Sequence, residues 1–452
     1  MTAPAASERD PQLWPASART TDDGALSVGG VDLRALAAGH GTPAYVIDER
    51  DFRSRARGFV EAFSRAFGET PVDVYYAGKA FLCTAVARWA HDEGLRIDTS
   101  TGGELAVALR AGVPGADIGL HGNNKSDDEI ARALEAGVGR IVIDSLDEVR
   151  RIADAVRARG DGRRAPVMVR LTTGVHAGGH EFVSTAHEDQ KFGLSIAGGQ
   201  AMEALRAVLD TPELDLIGVH SHIGSQILDP SGFELAAHRV LELRAELVAA
   251  TGHLLPEVDL GGGFGIAYTP GEVPLDPFRV AKDVAGVVEE VCAATGTPLP
   301  RLSVEPGRAI VGPTTLTLYT VGTVKPVTVD AGRTRLYVSV DGGMSDNLRP
   351  ALYGARYTAA VVSRPGSRDV VPARVVGKHC ESGDVVVHDV DLPADITSGD
   401  LLAVPATGAY GRSMASNYNH VPRPPVVAVR DGVATVIVRR ETEDDLLALD
   451  VG

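Results

Sequence analysis

The sequence predicts an α/β fold, a (β/α)8 barrel of the TIM type joined to a second, all-β domain. Two observations carry this. Short apolar β-type runs alternate with segments of helical period from about residue 50 to 305, and after Pro306 the texture turns to strands punctuated by Gly, Pro and Asp. At 452 residues the chain is also too long for one ordinary core, so two domains are expected.

The barrel strands are expected at VDVYYA (72–77), LRID (95–98), ADIGL (116–120), RIVI (140–143), PVMVRL (166–171), LDLIGVH (214–220), PEVDL (256–260) and RLSVE (301–305). Helical patterns such as SDDEIARALEAG separate them, several closing on Gly as a helix C-terminus prefers. Another helix, DERDFRSRARGFVEAFSRAFG, precedes the first strand. Eight strands with crossover helices close into a barrel without an unpaired edge, with a doubly wound open sheet as the alternative. In the second domain VVAVRDGVATVIVRR is a hairpin, because Asp431-Gly432 suits the positive φ angles of a type I′ turn. PAYVI (43–47) is a strand expected to pair into that domain. The expected boundaries are therefore 1–47 for the N-terminal tail and strand, 48–310 for the barrel and 311–452 for the β domain. The first two dozen residues are expected to fray.

Bulk chemistry narrows the partners. The net charge of −16 repels phosphate backbones and anionic membranes, which leaves a small molecule as the better ligand class and disfavours nucleic acid and membrane. Hydrophobic residues at 44% and charged residues at 23% match an ordinary globular protein. Cys83, Cys292 and Cys380 show no CxxC spacing, which excludes a disulfide framework and a Cys-rich zinc site and suits a reducing, cytoplasmic location. The N-terminus lacks the basic and apolar regions of a secretory signal, and no stretch approaches the ~18 apolar residues of a membrane span.

In such a barrel chemistry sits at the C-terminal ends of the strands. Lys79 in YYAGKAF follows strand 1, where desolvation would lower its pKa and make it an amine for a Schiff base; a lysine snorkelling to water is the bland alternative. The run DLGGGFGI puts Gly261, Gly262 and Gly263 after strand 7, where bare backbone can approach a phosphate, although such runs are also tight turns. Glu305 ends strand 8 and needs a cationic partner, either a protonated pyridine nitrogen or a barrel arginine. His220 and His222 alternate onto one face of GVHSHIGSQ, and HAGGH (176–180) is comparable, but neither has a suitably spaced third ligand, so no metal is expected.

Taken together, YYAGKA, DTSTGGEL, GNNKS, EFVSTAHEDQKFGLS, GVHSHIGSQ, DLGGGFG, EPGR, CESGD and GAYGRSMASNYN resemble the fold type III pyridoxal-phosphate (PLP) decarboxylases, and most closely the diaminopimelate decarboxylase family, over roughly residues 40 to 440. HSHIGSQ departs mildly, with Ser between the histidines where a small residue such as Cys is expected. The resemblance implies PLP-dependent decarboxylation of meso-2,6-diaminopimelate to L-lysine and CO2, by a homodimer whose active site is shared across the interface. It implies that Lys79 carries PLP through its amine, that His222 stacks on the ring, and that Ser225 with Gly261 to Gly263 binds the phosphate. Glu305 pairs with the ring nitrogen, and Pro306, Gly307, Arg308 and Tyr410 join the cofactor site. Arg308, Arg349, Tyr353, Glu381 and Tyr410 bind substrate, and Cys380 donates the proton, with Cys380 and Glu381 coming from the partner subunit. Other amino-acid decarboxylases, or a PLP-binding regulator without catalysis, are the alternatives; retention of Lys79 and Cys380 argues against the regulator.

Overall fold

The computed structural model describes residues 10–175, 191–329 and 332–452, so HAGGH and EFVSTAHEDQ lie outside the described residues. The chain forms two compact units, one of residues 55–265 and 275–307, the other of residues 1–54, 266–274 and 308–452.

The first unit is the barrel. Its strands are β1 (Val72–Ala77), β2 (Arg96–Thr99), β3 (Ile118–Leu120), β4 (Arg140–Ile143), β5 (Ala165–Thr172), β6 (Leu214–Ser221), β7 (Glu257–Asp259) and β8 (Arg301–Val304). Each pairs in parallel with its successor, and β8 pairs with β1, which closes the sheet. All eight lie within two residues of the positions read from the sequence, and the open-sheet alternative is excluded by the β8–β1 pairing. The helices form for local reasons. Over Asp127–Ala136, Ser126 and Glu129 make a reciprocal capping box and Gly137 ends the helix at φ 63°. Ile130, Ala133 and Leu134 form its buried stripe.

The second unit is built on one long strand. Thr315–Thr328 pairs antiparallel with Ala44–Asp48, Thr334–Val340 and Leu401–Val404. Ala44–Asp48 also lies parallel to Val426–Arg430, so the strand before the barrel joins the β domain as the sequence indicated. The expected hairpin forms: Arg430 faces Val433 across a two-residue turn with φ of 51° at Asp431 and 79° at Gly432.

The fraying expected of the first two dozen residues is corrected from residue 10 onward. Leu13, Trp14 and Ala18 are buried in a cluster with Val46, Leu316 and Val429, and Arg19–Thr20 begins a small antiparallel sheet with Leu26–Val28 and Val31–Asp32. The polar composition of this segment hid a few anchoring apolar side chains.

Candidate active site

Lys79 stands in a single 3-10 turn, Gly78–Ala80, directly after β1, and is half-buried. A Cβ on Gly78 would meet the Asp98 carbonyl oxygen at 2.8 Å, so the turn rests on the end of β2. Beside it, the Ala77 N–H donates to the Pro306 carbonyl at 3.3 Å, and a Cβ on Gly307 would meet Ala77 at 2.9 Å. The closure of the barrel thus carries the segment after β8 to the start of the lysine turn.

His222 follows β6. Its Nδ1 accepts the Gly262 N–H at 3.2 Å, while the Ile227 N–H donates to the Gly263 carbonyl at 2.9 Å, so the loop carrying His222 and Ser225 is stitched to the glycine run. The run is crowded by backbone: a Cβ would stand 2.4 Å from the Ser221 oxygen at Gly261 and 2.3 Å from the Glu305 oxygen at Gly262. Two amides that the sequence reading offered to a phosphate are committed elsewhere, Gly261 to Asp259 Oδ1 at 2.6 Å and Gly262 to His222.

Glu305 is buried at the end of β8, and the structure gives it three neighbours. His121 Nε2 and His220 Nε2 each lie 3.3 Å from Oε1, and Arg140 lies 3.5 Å from the same atom. Arg140 itself is drawn to Asp259 by a close ion pair and to Ser303 Oγ at 2.9 Å, beneath the Tyr75 ring at 3.6 Å. His121 also reaches Asp98 Oδ1 at 2.9 Å. Sequence reasoning left out Asp98, His121, Arg140 and Asp259. Their signal was a polar residue within or just after an otherwise apolar barrel strand. His121, His220 and Glu305 place donor atoms within 4.8 Å of one another, but a cation there would stand against the Arg140 guanidinium.

Burial fixes the protonation of this interior. It pulls His121 down to about 3 and holds His220 and His222 well below the ordinary imidazole value, with the Lys79 ammonium adding to the effect on His121 and His222. Burial pushes the Asp98 carboxyl up to about 7, against the pull of Lys79 and Arg140. The His121 imidazole binds a proton in the unfolded chain near 6.5 but not in the folded one until about 3, and burial shifts His220 in the same direction. Their contribution to stability is therefore complete above the unfolded value and lost as pH falls through that window. Asp98 acts in the opposite sense, losing stability as pH rises from 3.8 to about 7. A His121→Gln/His220→Gln double variant is expected to lose less of its urea midpoint than the parent between about pH 7 and about pH 5. Equal losses in the two proteins would refute the assignment.

The second unit holds the remaining sequence-derived residues. Arg349 opens the short helix Arg349–Tyr353 and is buried, whereas Tyr353 at its end is 48% exposed. Arg349 donates to the Tyr357 hydroxyl at 2.5 Å and lies over the Tyr268 ring at 4.4 Å. Arg308 donates to the Tyr268 hydroxyl and lies over the Tyr410 ring at 4.7 Å. Tyr410 has φ 61°, a costly conformation for a residue with a Cβ, in the segment that presents its ring to Arg308. Tyr268 and Tyr357, which sequence reasoning missed, complete this frame. No carboxylate pairs with Arg349 among the described residues. Cys380 and Glu381 are exposed on the turn before Val385–Pro393, and Glu381 borders a cavity of about 510 Å³ with Met344, Leu348, Ser416 and Tyr418.

The barrel residues fit a pyridoxal group. They offer a half-buried amine, a neutral imidazole and a buried carboxylate whose polar side-chain contacts among the described residues fall on one oxygen. Comparison with known proteins agrees. The family profile for the pyridoxal binding domain of pyridoxal-dependent decarboxylases matches residues 50–312. Diaminopimelate decarboxylase of Mycobacterium tuberculosis is 54% identical over 98% of each chain. The chain belongs to the diaminopimelate decarboxylase family. Another member of that family, from Bacillus subtilis, is 43% identical over 96% of this chain and 97% of its own. The crystal structure of diaminopimelate decarboxylase from M. jannaschii in complex with L-lysine superposes with a TM-score of 0.88 at 32% identity, covering 96% of this chain and 98% of that one. Among the described residues no helix is long and apolar enough to cross a membrane.

Proposed function

We propose that this chain, with PLP as cofactor, decarboxylates meso-2,6-diaminopimelate at its D-configured centre to give L-lysine and CO2, the last step of lysine biosynthesis, in the cytoplasm. Arg349 carries the reading. A guanidinium 5% exposed, held by a tyrosine hydroxyl and ring faces and paired with no acid among the described residues, calls for an anionic ligand group. Diaminopimelate brings a second carboxylate far from the reacting carbon; lysine and ornithine do not.

Bound in the barrel, PLP supplies a conjugated electron sink for the pair left by departing CO2. Lys79 would hold the cofactor through its amine. His222 offers its ring face, Ser225 and Gly263 offer donors for the phosphate, and Gly261 and Gly262 let backbone come close. Glu305 would keep a proton at the ring nitrogen, and Pro306, Gly307 and Arg308 would join the cofactor site. Arg308, Arg349 and Tyr353 take the distal carboxylate, Glu381 takes the distal ammonium, and Tyr410 contacts cofactor and substrate. Cys380 delivers a proton to the carbon that lost CO2, since a thiol titrating near ~8.5 can donate at neutral pH. In this assignment 48–310 is the cofactor-binding part, and 1–47 with 311–452 supplies substrate recognition.

The deciding experiment is a substrate panel with CO2 detection on the purified holoenzyme. Diaminopimelate is expected to exceed lysine in kcat/KM by up to ~10⁴-fold, because lysine leaves the buried arginines unpaired. Arg349→Met should remove most of that preference, and turnover of lysine rivalling diaminopimelate in the parent would overturn the reading.

The active form is proposed to be a homodimer in which Cys380 and Glu381 serve the partner's site. Mixing inactive Lys79→Ala and Cys380→Ala chains in equal amounts should then restore about a quarter of full activity, as random two-fold pairing dictates. No recovery after subunit exchange would exclude the shared site.

A further inference from the structure

We propose that His379 is a positioning residue, whose imidazole bridges Ser345 and Asn419 and so sets the turn that presents Cys380 and the face from which its proton is delivered. The inference rests on the proposed function, in which Cys380 is the proton donor.

Three segments line the cavity beside Glu381: Met344 and Leu348 from one, Glu381 and Gly383 from the second, Ser416 and Tyr418 from the third. His379 joins all three. It is 8% exposed, whereas Cys380 and Glu381, which follow it on the turn, are exposed. Its Nε2 lies 2.8 Å from Ser345 Oγ and its Nδ1 3.2 Å from Asn419 Oδ1. An amide oxygen only accepts, so Nδ1 carries the proton of that bond and Nε2 is left to the Ser345 hydroxyl. The same Asn419 oxygen accepts the Cys380 N–H at 3.4 Å, so one acceptor serves both the ring and the backbone of the proton donor. Asn419 holds φ 52°, a left-handed conformation that asparagine tolerates better than most residues with a Cβ. Asp384 fixes where the turn begins, accepting the Met344 N–H at 2.6 Å and the His379 N–H at 2.7 Å. A Cβ on Gly343 would stand 2.5 Å from its Oδ1, so the carboxylate sits hard against that backbone. The turn is thus anchored at its start by an acid and steered by the imidazole bridge.

Direction matters for the proton. When CO2 leaves, the electron pair of the broken C–C bond takes the proton of the Cys380 thiol to form a C–H bond, and solvent returns a proton to the thiolate. A thiol aimed from one side protonates one face only.

The test is stereochemical. Holoenzyme turning over diaminopimelate in ²H2O places a single deuterium on the carbon that lost CO2, and NMR of the lysine against chirally deuterated standards reads its configuration. The parent is expected to give one configuration. His379→Ala should lower kcat by about 10- to 100-fold, the cost of misplacing a proton donor, and give both configurations. His379→Asn, which keeps an N–H toward Asn419, should recover a single configuration. Asn419→Gly suits the left-handed backbone and removes the shared acceptor without altering His379, so it should also mix the configurations; it decides the matter if His379→Ala does not fold. A single configuration from folded His379→Ala or from Asn419→Gly, whatever the rate, overturns the proposal, because a merely structural role slows turnover without exposing the second face. Cys380→Ala with parental kcat and a single configuration would instead overturn the functional reading beneath it.

Discussion

Lys79→Ala is expected to lower turnover by at least about 10³-fold, and sodium borohydride should no longer fix cofactor to the chain. The size of the effect follows from what the amine does. In the proposed assignment it anchors the cofactor covalently and is the group the substrate must displace, and as an ammonium it places positive charge beside Asp98, His121 and His222. The loss should be chemical rather than structural. The turn Gly78–Ala80 is fixed by its fit against Asp98 and by the β8–β1 closure. Thermal stability near that of the parent is therefore expected alongside the lost activity. Mass spectrometry after borohydride treatment reads the anchor directly: a cofactor adduct on the alanine variant would assign the amine to another residue.

The barrel was legible because its strands are short apolar runs divided by capped helices, a pattern that survives small errors at element ends. Val72–Ala77 and Arg140–Ile143 even keep the bounds read from the letters. The hairpin at Asp431-Gly432 was legible for a local reason, since both positions need positive φ. What the letters concealed is long-range. Arg140 and Asp259 are separated by 119 positions, and nothing near either announces the other; only closure of the sheet makes them partners. The same closure turns His220 toward His121 and Glu305, where the linear reading had weighed it against His222. In the β unit, Arg308 and Arg349 were found through motif resemblance. Tyr268 and Tyr357, which frame them, lie in stretches without a motif, and their role appears only once 266–274 is seen to fold with 308–452. The glycine run was read as a phosphate cup, yet the amides of Gly261 and Gly262 are already engaged, so its composition also answers to crowding by Ser221 and Glu305 backbone.

Glu305→Gln separates holding the cofactor from making it reactive. The amide keeps an oxygen where Oε1 now accepts from Arg140 at 3.5 Å and lies 3.3 Å from His121 and His220, so the side chain should stay in place and the barrel should fold. What disappears, in the proposed assignment, is the negative charge that favours a proton on the ring nitrogen. A glutamine N–H can still donate to an unprotonated ring nitrogen, so cofactor affinity is expected to change by less than about tenfold, near 1.4 kcal/mol. Turnover should nevertheless fall by about 10²- to 10³-fold, because charge developing in the transition state loses its preorganised counter-group in a site closed to water. Cofactor titration by fluorescence and kcat with diaminopimelate, measured on one preparation, give the two halves. A variant that binds PLP normally and turns over at the parental rate would show that the acid serves packing alone. Equal losses in affinity and kcat would assign it to retention of the cofactor instead of to decarboxylation.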